Sequence, residues 1–183
     1  MTSTAASLPD FADDLALALR LADAADAAAM RRFDASDLQV DAKPDATFVT
    51  EADLETERAI RDILALERPE DGVLGEEFGT TGGTHRQWII DPIDGTHNYL
   101  RGIPMWSVLI SLAIDGVPQV GVVSMPALGR RWWAAQGLGA WTNAPSGEDR
   151  RIHVSTIDDI AKSSVSFQSV EQWDEVGRLD DLT

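Results

Sequence analysis

The sequence contains no cysteine, and that absence excludes disulfides, thiolate zinc sites, iron–sulfur clusters and cysteine nucleophiles together. Long apolar runs are missing too. Nothing approaches the roughly 18 consecutive apolar residues of a membrane span, and Met1 to Asp10 lacks the basic start and apolar core of a secretory leader. A soluble, cytoplasmic protein with no membrane partner is expected. Basic residues are scarce: 15 Lys and Arg stand against 31 Asp and Glu, a formal charge of −16 that repels a phosphate backbone. Nucleic acid is therefore not expected as a partner, whereas divalent cations and cationic metabolites suit such a surface. What is present is ordinary for a globular chain, with 44% hydrophobic and 25% charged residues in a length of 183. That length gives one domain of about 150 residues and part of another.

Between Ser7 and about Phe33 alanine and leucine dominate, with Phe11, Leu15 and Leu19 four apart on one helical face and Ser7 with Asp10 spaced as a capping start. A second helix is expected from Thr50, with Ile60, Ile63 and Leu64 as its apolar stripe and Pro69 as its stop. After Asp71-Gly72 the pattern changes to short apolar runs: Val73-Leu74, Trp88 to Ile90, Val108 to Ile114, Val117 to Val123 and Arg131 to Ala135. These read as strands, and Asp115-Gly116 between two of them marks a hairpin whose turn positions want positive φ. Two helices followed by an antiparallel meander imply an α+β layered domain. The Pro-, Ser- and Gly-containing stretch Ala144 to Asp149 predicts a boundary, giving an N-terminal α+β metal-binding domain over 1–145 and an incomplete C-terminal α/β domain over 150–183. In the latter an extended piece at Ile152 to Ser155, a helix from Ile157 and a strand from Ser164 to Phe167 are expected.

The stretch that carries chemistry is Trp88-Ile89-Ile90-Asp91-Pro92-Ile93-Asp94-Gly95-Thr96. An apolar strand delivers Asp91 at its end, and Pro92 holds Asp91 extended so that Asp91 and Asp94 can converge at a turn. Two carboxylates there form a hard-oxygen site of the kind Mg²⁺ prefers. Gly95 lets the backbone approach a ligand closely, and Thr96 offers a hydroxyl and an N–H where a helical turn can begin, a place for phosphate. The plainer alternative is an Asp-rich turn bonding its own amides. Glu76, after Val73-Leu74-Gly75, is either a further strand-end acid or a solvated loop residue. Asp53, three residues after Thr50, is either a site acid or the N3 acid of a helix cap. His85, His97 and His153 lack the spacing of a histidine metal site; only His97 adjoins the proposed phosphate position.

Lys43 to Asp53 (KPDATFVTEAD), Gly75-Glu76-Glu77 and Trp88 to Thr96 (WIIDPIDGT) resemble, in order and spacing, three signatures of the inositol monophosphatase family. The continuation HNYLRGIPMWSVLISL and VGVVSMPALGRRWWAAQGLGAW is most similar to the branch containing histidinol-phosphate phosphatases. The resemblance implies a layered αβαβα sandwich whose C-terminal domain is truncated here. It implies metal ligation by Glu76, Asp91, Asp94 and the Ile93 carbonyl, with two or three Mg²⁺ ions and Asp91 as a bridge. Ile93, Asp94, Gly95 and Thr96 would hold the substrate phosphate, and Asp53, Glu76 and Thr96 would act on the attacking water. The expected activity is hydrolysis of a small phosphorylated metabolite, L-histidinol phosphate in histidine biosynthesis; inositol 1-phosphate or another sugar phosphate is the alternative within the family. A non-catalytic metal-binding or interaction fragment is the alternative outside it. A homodimer is expected, with one of Trp132 and Trp133 in the core and the other at a subunit contact. One family element is missing: an aspartate from a C-terminal Trp-Asp signature. Trp173-Asp174 matches it superficially, but Glu175-Val176-Gly177 does not continue it.

Overall fold

The computed structural model describes residues 10–33, 35, 40–42, 48–143, 147–164, 166, 173–174 and 176–178. Helix α1 (Ala12–Arg32) follows Phe11, and Asp10 Oδ1 accepts from the Ala12 N–H at 3.0 Å. Ser7, the other half of the expected cap, lies outside the described residues. The expected stripe proves to be one edge of the buried face: Leu15 and Leu19 are partly buried, while Leu17, Ala18, Leu21, Ala22, Ala25 and Ala29 are fully covered. Alanine's short side chain allows close backbone approach, so a face judged from large residues alone is placed too far round the helix.

Strands β1 (Val40–Ala42) and β2 (Phe48–Thr50) form a small antiparallel pair that leads into helix α2 (Glu51–Glu67). Thr50 caps that helix as expected. Its Oγ1 accepts from the N–H groups of Ala52 and Asp53 at 3.1 and 3.4 Å, and Asp53 Oδ2 accepts in return from the Thr50 N–H at 2.8 Å. Ile60 and Leu64 are buried and Ile63 partly so, and the helix ends before Pro69.

The rest of the first compact unit, Met1–Ile152, is, among its described residues, one sheet with a short helix and a 3₁₀ turn at Pro126–Leu128. In chain order come β3 (Gly72–Gly75), β4 (Gly79–Thr81), β5 (Arg86–Asp94), α3 (Thr96–Tyr99), β6 (Ser107–Ile114), β7 (Val117–Met125), β8 (Arg130–Ala135), β9 (Gly139–Asn143) and β10 (Asp149–Ile152). The spatial order is β10-β9-β8-β7-β6-β5-β3-β4, antiparallel throughout except for parallel β3 and β5. Asp115 and Gly116 turn β6 into β7 with φ of 49° and 78°, both positive as their residue types predict. At the start of β5, Asp71 Oδ2 accepts from Arg86 Nε and Trp88 Nε1, each at 2.9 Å, pinning the strand that carries the acidic motif.

Helices α1 and α2 pack on each other and on one face of the sheet, where Trp88, Ile90, Val108, Ile110, Leu112, Val120 and Val122 form the core. The alternate residues point the other way, and that face is open: Leu74, Ile89 and Val123 are 37%, 37% and 38% exposed. Trp133 packs on the core, while Trp132 is half-buried beneath the Arg130 guanidinium, 5.3 Å from the ring centre. Strand β10 pairs with β9, so the chain just beyond the expected boundary still belongs to the sheet.

The second unit, His153–Thr183, differs from expectation. No helix starts at Ile157; among its described residues there is a 3₁₀ turn at Ile160–Lys162, capped by Asp159 Oδ1 accepting from the Ala161 N–H at 3.0 Å. A side-chain cap this close to Ile160 satisfies the local N–H groups without the long apolar stripe an α-helix would need. Ser164 and Ser166 lie in no strand, and Val165 and Phe167 fall outside the described residues. Among the described residues no helix is long and apolar enough to cross a membrane.

Candidate active site

Pairing register places the acids. Parallel pairing of β3 with β5 sets Gly75 opposite Ile90, so the next residue of each strand, Glu76 and Asp91, emerges at the same sheet level. Strand β5 does not stop at Asp91, as expected from sequence, but continues to Asp94 through a bulge. Asp91 pairs with Leu109 and Asp94 with Ser107, three steps on β5 against two on β6. Pro92 sits inside that bulge, where its missing N–H leaves no ladder bond unmade. The extra residue turns Asp94 back toward Ser107, whose hydroxyl donates to Asp94 Oδ2 at 3.4 Å.

Gly95 then reverses the chain with φ of +94°, and a Cβ there would lie 3.2 Å from the Met105 carbonyl oxygen. Both observations demand glycine. Gly95→Ala should therefore cost about 1–3 kcal/mol, read as a lowered melting temperature; an unchanged transition would show that the turn relaxes freely. The turn sits on a rigid floor. The Tyr99 hydroxyl donates to the Ala29 carbonyl at 2.7 Å, and Tyr99, Phe33 and Trp106 pack in tilted and edge-to-face contacts with ring centres 5.0–5.5 Å apart. On this floor α3 begins at Thr96, whose hydroxyl donates to the Ile93 carbonyl at 3.1 Å. N–H groups in a first helical turn have no acceptor inside the helix.

Asp53 is both of the things its sequence context allowed. Oδ2 serves the α2 cap, also accepting from the Thr50 hydroxyl at 2.6 Å, and the side chain is close enough to Glu76 to feel its charge. Burial, with only 2% of the residue exposed, pushes the Asp53 carboxyl up, partly offset by the Thr50 bonds. His97 is exposed beside the turn, its carbonyl accepting from Arg101 at 2.8 Å.

Asp91 is the electrostatic centre. Its Oδ1 is buried without a hydrogen-bond partner, an arrangement that costs energy unless something cationic or protic faces it. Burial first, then the charges of Glu76 and Asp94, push its carboxyl up to about 8. Among the described residues no three His, Asp or Glu side chains close tightly enough to enclose a metal ion. The fit to a cation is therefore carried by Asp91 itself: an orphaned, buried carboxylate oxygen among oxygen donors suits a hard ion that keeps several waters. A cavity of about 390 Å³ on the open sheet face, lined by Ile89, Leu109 and Val123, reaches Asp91. A larger one of about 550 Å³, between α1 and β7–β8 and lined by Asp23, Asp26, Ser124 and Arg131, does not include the acidic motif.

This electrostatics has a measurable consequence. A carboxyl that titrates near 8 in the fold and near 3.8 when unfolded binds more protons folded than unfolded across that window. Its stabilisation is full below the lower value and is lost as pH rises through the upper one. The cation-free chain should therefore melt at a lower temperature at about pH 9 than at about pH 5. Mg²⁺ binding near pH 7 should release close to one proton, seen calorimetrically as a dependence on buffer ionisation enthalpy. No buffer dependence would show that the ion does not meet Asp91.

One buried acid beside the site was not anticipated from the sequence. Glu57 is completely buried, one turn beyond Asp53 on α2. Its carboxylate accepts from the N–H groups of Glu77 at 2.7 Å and Phe78 at 3.2 Å, and from Arg61 Nε at 2.7 Å. The available signal was its position: Glu57, Ile60 and Leu64 share the apolar stripe, where an acid is out of place unless it is bonded.

The profile of the Inositol monophosphatase family matches residues 11–179. The chain belongs to the inositol monophosphatase family. Within this family it is 52% identical to a histidinol-phosphatase of Streptomyces coelicolor, over 96% of this chain and 69% of that one. It is 54% identical to a histidinol-phosphatase of Mycobacterium tuberculosis, over 88% and 62%. Among solved structures it matches the extragenic suppressor protein suhB of Bartonella henselae with a TM-score of 0.73 at 32% identity, covering 80% of this chain and 56% of that one. The chain thus spans between about half and two thirds of the length of these family members. The α+β fold expected from the motifs is that of the family.

Proposed function

We propose that this protein is a Mg²⁺-dependent phosphomonoester hydrolase acting on L-histidinol phosphate, within histidine biosynthesis. The observation that carries the substrate is the identity above 50% to two histidinol-phosphatases across most of the chain. The buried Asp91 Oδ1, which has no hydrogen-bond partner, supports the cation.

In this reading Glu76, Asp91, Asp94 and the Ile93 carbonyl hold two or three Mg²⁺ ions. When bound, these supply Lewis acidity and lower the pKa of water. The chain's own groups do the rest. The N–H groups of Gly95 and Thr96, with the Ile93–Asp94 backbone, hold the phosphate oxygens, as backbone donors at a helix start can. The Thr96 hydroxyl, with Asp53 and Glu76, orients a water in line with the ester bond, and a carboxylate takes its proton. The water oxygen bonds to phosphorus as the bond to the histidinol oxygen breaks, and the leaving alkoxide takes a proton from solvent. Thr96→Ala should lower kcat far more than it raises KM, because the hydroxyl acts in the transition state while the backbone N–H survives. An intact kcat with a raised KM would reassign Thr96 to phosphate binding.

The proposed setting is the cytoplasm and the proposed assembly a homodimer, with the half-buried Trp132 at the subunit contact; sedimentation at two concentrations tests the latter. The decisive experiment is phosphate release from histidinol phosphate, inositol 1-phosphate and fructose 1,6-bisphosphate, each with and without Mg²⁺. Preference for inositol 1-phosphate would move the protein to another branch of its family. No release from any of them by a version extended to the length of its relatives would leave a binding fragment.

A further inference from the structure

We infer that Glu57 is the positioning residue for Glu76: its buried carboxylate fixes the backbone just beyond Glu76 and so sets where that acid stands relative to Asp91. The inference rests on the proposed role of Glu76 as a ligand.

Glu57 has no solvent contact, and a buried carboxylate persists only where donors satisfy it. Its donors are not scattered. Oε2 takes the Glu77 N–H at 2.7 Å and Oε1 the Phe78 N–H at 3.2 Å, the two backbone groups that follow Glu76. Gly75, which precedes Glu76, lies directly against the same carboxylate: a Cβ there would stand 1.9 Å from Oε1. Glu76 is thus held on both sides of its Cα by one side chain. Arg61, one turn further along α2, bonds Glu57 Oε1, the Gly79 carbonyl and, at 3.1 Å, Thr81 Oγ1, which ties down the far strand of the hairpin.

The chemistry requires a carboxylate. Three donors converge on two oxygens, and an amide in its place would turn an NH₂ toward an N–H. Because Asp53 and Glu57 are four apart on α2, one helical face places both Asp53 and the Glu76 turn. Divalent ions tolerate little displacement of their few protein ligands, so loosening this turn should weaken a cation more than it weakens the fold.

The test uses the 183-residue chain, with Mn²⁺ as the probe, at a temperature well below melting. Glu57→Gln should speed amide exchange at Glu77 and Phe78 at least about tenfold and raise the Mn²⁺ dissociation constant at least about tenfold, since ligand-orienting groups carry effects of this size. Glu57→Asp, which keeps the charge but shortens the reach, should also weaken Mn²⁺, and it stands in if the amide does not fold. Ile60→Val, on the same buried stripe, should lower the melting temperature yet leave Mn²⁺ affinity within about twofold. Faster amide exchange in Glu57→Gln with unchanged Mn²⁺ affinity would overturn the inference and leave Glu57 a structural acid. Equal weakening by Ile60→Val would overturn it as well. Failure of the parent chain to bind Mn²⁺, with both amides protected, would instead overturn the ligand role of Glu76 on which it stands.

Discussion

Asp91→Asn should abolish phosphate release while leaving the cation-free protein as stable as the parent or more so. The two halves of that expectation have one cause. Asp91 is half-buried, its Oδ1 is enclosed without a hydrogen-bond partner, and Glu76 and Asp94 press on it with like charge. In the absence of a cation the carboxylate is a burden, and an amide of the same shape removes the charge and relieves the repulsion. With the site loaded the balance would reverse, because the Asp91 carboxylate would supply negative charge to offset the bound cations. A loss of kcat of at least about 10³-fold is expected, equivalent to about 4 kcal/mol in the barrier. Melting curves of the two proteins above about pH 8, where Asp91 is charged, should favour the mutant. Retention of more than about a tenth of kcat would deny Asp91 a bridging role.

The parts of this fold that were legible in the sequence are those where the local signal and the tertiary outcome agree. Thr50 with Asp53 is a capping box on paper and in space, and Asp115-Gly116 is a two-residue turn in both. Strands of alternating or continuous apolar residues, β5 to β8, were visible because each buries a face. Strand β4 (Gly79–Thr81), at the sheet edge, and β9 (Gly139–Asn143), between β8 and β10, were not, since their short Gly- and Thr-containing runs bury little and owe their strand form to the neighbours they pair with. Within the site, the types and spacing of Asp91, Asp94, Gly95 and Thr96 pointed to an oxygen-rich turn. The bulge that aims Asp94 could not be read, because it depends on the register of β6. Glu57 was overlooked for a similar reason: beside Arg61, its partners are backbone N–H groups twenty and twenty-one residues away, which carry no side-chain signature.

Adding the C-terminal part of the Streptomyces coelicolor relative to this chain should raise phosphate release by at least about 10²-fold, some 2.7 kcal/mol in the barrier, although the 183-residue chain alone should already bind Mg²⁺. The similarity covers 69% of that relative, and the Trp-Asp signature that the proposed reading expects to complete a second ion's ligands has no continuous match in this sequence. In the proposed arrangement one ion would rely on Glu76, Asp91 and the Ile93 carbonyl, whereas the other would retain only Asp91 and Asp94. Mg²⁺ keeps several waters, so a missing carboxylate weakens that second position without forbidding it. The open sheet face matters as much. Asp91 emerges beside Ile89 and Leu109 on the side of the sheet that α1 and α2 do not cover, and Leu74, Ile89 and Val123 remain over a third exposed there. Water reaching that face raises the local dielectric and weakens every electrostatic interaction aimed at the transition state. A cover supplied by further chain would exclude that water and complete the ligands at the same time. Calorimetric Mg²⁺ titration and phosphate release, run on the chain and on the extended version side by side, separate the two effects: affinity should improve modestly and turnover steeply. If the chain alone turned over within about tenfold of the extended version, the added carboxylate and the cover would both be dispensable.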